Sequence, residues 1–126
     1  MIDLGGQIKS ALEVDPDVVL HAGEKKVHRL KAPEGIESPY ITYFEVVNND
    51  DNYGDDEPLS VNLIYQVDVW CEAAKVAKLL SVANATETVM KCMGFSRVDG
   101  QEFYENDTGL YHKASRYQIA KDYEEE

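Results

Sequence analysis

The spacing of apolar residues changes period along the chain, and each change marks an element. Leu4, Ile8, Ala11 and Leu12 recur at helical spacing and predict an amphipathic helix over residues 3–14. Gly5 and Gly6 weaken its first turn by up to ~1 kcal/mol each, so a late start is expected. Asp15-Pro16 is a helix-start pair: the carboxylate accepts from the next turn, and proline suits the first helical position. The short helix it opens should run through Leu20 and stop at Gly23. Residues 26–30 predict a short strand, Ala32-Pro33-Glu34-Gly35 a loop, and Tyr40 to Asn48 a strand rich in β-branched and aromatic residues.

Residues 60–71 carry the clearest alternation. Val61, Leu63, Tyr65, Val67, Val69 and Cys71 face one way, and Asn62, Ile64, Gln66, Asp68 and Trp70 the other. Such a strand covers a helix with one face and leaves its second face for water or a partner. The main helix is expected over residues 73–93, with Val76, Leu79, Leu80, Ala83, Val89, Met90 and Met93 as its apolar stripe and Gly94 as its stop. Two aromatic and apolar runs, about 95–105 and 110–120, flank Asn106-Asp107-Thr108-Gly109 and predict a β-hairpin. The order α, β, β, β, α, β, β implies an α+β fold. An antiparallel or mixed sheet of about five strands packs on one long helix, with an N-terminal helix and a C-terminal hairpin.

A chain of 126 residues, 44% hydrophobic, is expected to form a single globular domain over its whole length. No apolar run approaches the ~20 residues that span a bilayer, so no membrane role is expected. Met1-Ile2-Asp3 opens without a basic segment ahead of an apolar one, and a cytoplasmic site of synthesis is the expectation. The formal charge of −12 is unevenly placed. Asp50, Asp51, Asp55, Asp56 and Glu57 fall in an acidic loop at 48–58, and Asp122, Glu124, Glu125 and Glu126 in an acidic tail at 121–126. Without these nine acids, fifteen remain against twelve bases, so the body is nearly balanced. Phosphate capture needs clustered Lys and Arg, and specific nucleic-acid binding is disfavoured.

Catalytic chemistry finds no foothold in the residue pattern. There is no GxSxG, GxGxxG or GxxxxGK[ST] run, and His21, His28 and His112 share no ligand spacing. The acidic loop fails the EF-hand template: with Gly54 at position six, position five is Tyr53 and position twelve is Ser60. It reads as a solvated loop between strands, as a weaker ion site, or as a partner contact anchored by Tyr53. Cys71 ends a strand and Cys92 lies at the far end of the helix after it, roughly 28 Å away at ~1.5 Å per residue; two reduced thiols are expected. Trp70 points away from the apolar face, where either a second layer buries it or it meets another subunit. Asp50, Asp51, Tyr53, Asp55, Asp56 and Trp70 are therefore the candidate partner contacts. No catalytic, cofactor or metal residue is assigned.

Four segments together resemble the tail-completion, or tail-to-head joining, proteins of long-tailed phages and prophages. They are Pro39-Tyr40-Ile41-Thr42-Tyr43, Gln66-Val67-Asp68-Val69-Trp70, Gly94-Phe95-Ser96-Arg97 and Asp107-Thr108-Gly109-Leu110-Tyr111-His112-Lys113. The resemblance implies a small α+β subunit without enzymatic activity or cofactor. It implies assembly as a ring, usually a hexamer, between the tail-tube protein and the head-completion or neck proteins. It also implies synthesis in the host cytoplasm and residence in the virion, where DNA passes through without being specifically bound. A different class, an acidic stand-alone protein mimicking DNA against a host enzyme, needs carboxylates spread over a folded face. Here they gather on one loop and one tail.

Overall fold

The computed structural model describes residues 1–54 and 57–123, and for Asn52 and Tyr53 the backbone alone. Helices α1 (Gly5–Val14) and α2 (Pro16–Ala22) lead into strand β1 (Val27–Arg29) and the long strands β2 (Tyr40–Gly54) and β3 (Glu57–Glu72). A 3-10 turn (Ala73–Lys75), helix α3 (Ala77–Cys92) and strands β4 (Ser96–Glu105) and β5 (Leu110–Asp122) complete the chain. The sheet order is β1-β2-β3-β5-β4, mixed because β1 runs parallel to β2 while every other pair is antiparallel.

Local chemistry explains most boundaries. Asp15 caps α2 by accepting from the N–H groups of Asp17 and Val18 at 3.2 and 3.1 Å, with Pro16 at the first helical position. Gly23, at φ 102°, ends that helix, and Gly94, at φ 99°, follows α3. Both need the left-handed region that glycine enters freely. α1 starts at Gly5, earlier than its glycines suggest, because Asp3 Oδ1 accepts from Gly5 N–H at 2.8 Å. The residue at its formal cap, Leu4, supplies no side-chain bond.

One face of the sheet carries all three helices. Val61, Leu63, Tyr65, Val67, Val69 and Cys71 of β3 are all buried there with Ile8 and Leu12 of α1, Val18 of α2, and Val82 and Met90 of α3. α3 is turned relative to the predicted stripe. Val76 and Leu80 are exposed, while Val82, Ala85 and Thr86 are buried. The buried set Leu79, Val82, Ala83, Ala85, Thr86, Val89 and Met90 follows the 3.6 period. The prediction gave weight to large apolar side chains, whereas the sheet surface selects a face that includes alanine and threonine.

The largest departure lies at the acidic segment. Most of the expected loop at 48–58 is ladder: Asn48 pairs with Leu63, Asn49 with Asn62, Asp50 with Val61 and Asp51 with Ser60. Asn and Asp are poor strand formers, but their partners in β3 are anchored in the core, and the hairpin carries β2 along with them. Asp55, Asp56, Glu124, Glu125 and Glu126 lie outside the described residues.

Candidate functional site

The sheet face opposite the helices has no covering layer among the described residues, and an aromatic row crosses it. Tyr40 of β2, Trp70 of β3, His112 of β5 and Phe103 of β4 stand opposite one another in the ladders. Their ring centroids lie 6.1 Å (Tyr40–Trp70), 4.1 Å (Trp70–His112) and 4.9 Å (His112–Phe103) apart, with interplanar angles of 13°, 28° and 27°. Adjacent strands are ~4.8 Å apart, so rings on one ladder row meet face to face. The indole N–H of Trp70 donates to Thr42 Oγ1 at 2.9 Å. Trp70 is half-buried: its neighbours in the row, not a second layer, cover it.

This arrangement limits what the face can hold. A platform for bases or sugars must offer free ring faces, and here the faces of Trp70 and His112 are spent on each other and on Tyr40 and Phe103. What remains outward is ring edge, which suits packing against protein. Phe103 keeps 44% of its surface exposed; Tyr104 and Tyr111, a tilted pair 4.8 Å apart on the same hairpin, keep 51% and 37% but stand level with Cys71 and so belong to the opposite, helix-bearing side of the sheet.

Beside the row runs a polar strip. Arg116 Nε donates to Gln66 Oε1 at 3.3 Å, and the Gln66 amide donates in turn to both oxygens of Asp68, at 3.1 and 3.3 Å. Asp68 is only 5% exposed, and burial raises its carboxyl pKa; the bonds from Gln66 and the nearby His112 oppose the rise. His112 is buried too. Its Nδ1 lies 3.5 Å from Glu105 Oε1 without hydrogen-bond geometry. The stack covers the faces of the imidazole, and its Nδ1 is buried.

The other candidate contacts sit elsewhere. Asp50 and Asp51 are exposed near the far end of the β2–β3 hairpin. Asp50 accepts from the hydroxyl of Tyr123, which braces the hairpin from the end of β5, and the Asp51 carbonyl accepts from Ser60 Oγ at 3.1 Å. Tyr53 pairs with Pro58 through its backbone; its side chain, like Asp55 and Asp56, lies outside the description. Trp70 stands nine positions along β3 from Val61, the partner of Asp50, or roughly 30 Å at ~3.4 Å per residue. The fold thus separates the predicted contacts into an aromatic region and an acidic hairpin. Among the described residues, no group of three or more His, Cys, Asp or Glu is placed to hold a metal ion. Cys71 is buried, with its thiol against the Lys75 carbonyl at 2.8 Å, and Cys92 is exposed.

Tyr40, Phe103 and His112 were not among the predicted contacts. The signal was in the hairpin: joining runs at 105 and 110 already sets Phe103 opposite His112, as the ladder does.

Comparison with known proteins adds a family and a fold relative. No curated protein matches the chain. A solved chain from a virion of a native gene transfer agent particle superposes with a TM-score of 0.77 at 12% identity, covering 94% of each chain. At that identity the likeness establishes the fold alone. The family model described as tail completion protein gp17 matches residues 6–121, nearly the whole chain. The chain therefore belongs to the tail completion protein gp17 family, a family of structural phage-tail proteins.

Proposed function

We propose that this chain completes the tail of a long-tailed phage or prophage and forms the ring that joins the tail to the head or neck. The observation that carries the reading is the family match over residues 6–121, on a fold whose sheet, among the described residues, leaves one face without a layer of its own. It works by shape and contact and transforms no molecule. Its partners are further copies of itself, six in the closed ring, with the tail-tube protein on one side and the head-completion or neck protein on the other. It is made in the host cytoplasm and ends in the virion. The gene transfer agent relative is itself a virion chain, which accords with that destination.

The acidic hairpin borders the opening through which DNA passes. Carboxylates there repel phosphates, so DNA slides without sticking. The test has two parts. Removing the chain from a producing phage should leave full heads and separate tails in electron micrographs; normally joined particles would reject the proposal. Replacing Asp50, Asp51, Asp55 and Asp56 together by Asn should leave joining intact but lower DNA delivery by about tenfold or more. Unchanged delivery would remove the hairpin from the DNA path and leave the joining role standing.

A further inference from the structure

The sheet ends in two edges, and most of each is open among the described residues. On one side β1 covers only Ile41, Thr42 and Tyr43 of β2, so β2 from Phe44 to Gly54 has no strand outside it. On the other side β4 pairs with β5 alone, through nine of its ten residues with a bulge at Val98, and nine of the ten are exposed. Open edges present unpaired N–H and C=O groups that a further strand can satisfy.

Strand directions say which strand fits. β2 is antiparallel to β3, β3 to β5 and β5 to β4. β2 and β5 therefore run one way and β3 and β4 the other. A second copy in the same orientation lays its β2 antiparallel against β4 of the first. The alternation continues, and the two stretches without an outer strand are of similar length. We infer that successive copies join edge to edge, with β4 of one docking on the Phe44–Gly54 stretch of the next. The contact is heterologous, the kind that closes into rings. This interface rests on the ring reading above and specifies how that ring is built.

The pairing requires a shift along the strands. Through the ladders, Gly100 in mid-β4 lies level with Ser115, Val67 and Tyr43, whereas the middle of the β2 stretch beyond β1 is near Asn49. The neighbour is displaced by about six residues, roughly 20 Å at ~3.4 Å per residue. A constant stagger of this kind is what closing a sheet on itself demands.

Charge regulates the contact. Asp50 and Asp51 on one edge approach Asp99 and Glu102 on the other, and the edge cation Arg97 is held by Glu87 at 2.6 Å. Like charge keeps the edges of free subunits apart, as natural edge strands do. Salt, which screens over ~8–10 Å, should promote joining.

Hydrogen exchange on the full-length chain tests the interface, first as the free subunit in low salt and then after association in high salt or on tail tubes. Backbone amides of Val46–Asn49 and of Val98–Tyr104 should both slow by about tenfold or more on association. In a Cys92→Ser background, the double variant Asn49→Cys, Gln101→Cys should oxidise to a ladder of oligomers beyond the dimer. A mixture of the two single variants should stop at dimers. Rings in which either segment exchanges as in the free subunit would reject this interface and leave the ring reading intact. No ring under any condition, tail tubes included, would reject the ring reading and this interface with it.

Discussion

The hydroxyl of Tyr65, fully buried in β3, lies 3.0 Å from a carboxylate oxygen of Asp3, sixty-two positions earlier in the chain. The same hydroxyl accepts from the N–H of Leu4 at 3.0 Å and lies 3.1 Å from Glu45 Oε2. Asp3 also takes Gly5 N–H and the Arg29 guanidinium. One tyrosine at the centre of the sheet thus fixes the entry to α1 and the start of the chain.

Tyr65→Phe should therefore lower unfolding free energy by about 2 kcal/mol, since it leaves Leu4 N–H without its acceptor inside the fold. The loss should appear as faster exchange at the start of α1 with α3 unaffected. Equal loosening of both helices would refute the local account.

The Asp3 brace predicts a pH dependence. The Arg29 hydrogen bond, then the Gly5 N–H, hold the Asp3 carboxyl below its ordinary range. A carboxyl lowered by folding stabilises above its unfolded pKa, and that contribution is lost as pH falls through the lowered value. Asp3→Asn should be less stable than the parent at pH 7, and the gap should close in acid. Urea titrations at a series of pH values measure it; a gap independent of pH would count against the brace.

The aromatic row predicts a graded response at Trp70. Trp70→Ala removes two ring contacts and should cost about 2 kcal/mol. Trp70→Phe keeps the stack but deprives the buried Thr42 hydroxyl of its donor, at about 1 kcal/mol. Because Trp70 is the only tryptophan, unfolding is followed by circular dichroism. Loss of joining in Trp70→Phe without loss of stability would place the indole at a subunit contact.

Asp68 should behave in the opposite sense to Asp3. Burial raises its carboxyl, so the folded state takes the proton more readily, and ionised Asp68 weighs against stability at neutral pH. Asp68→Asn should melt a few degrees above the parent at pH 7, with the advantage shrinking as pH falls through the raised value. A variant less stable at every pH would show that the Gln66 bonds outweigh burial.

The alternation over 60–71 located β3, its buried face and the outward Trp70, because strand geometry forces every second side chain to one side. Asp15-Pro16, Gly23 and Gly94 fixed helix ends through capping and positive φ, which are properties of the residues themselves. The hairpin around Gly109 was legible for the same reason, as was a mixed sheet of about five strands. Other features depend on partners distant in the chain. Asn48 to Asp51 lengthen β2 against their own propensity because β3 is anchored in the core beside them. α3 turns Leu80 outward because the sheet, not residue size, chooses its face. Trp70 was visible as an unplaced aromatic, but its stack with Tyr40, His112 and Phe103 exists only once four strands are in register. Local chemistry sets where elements begin, end and face; which residues from different elements come together is decided by long-range packing, and the candidate surfaces are made there.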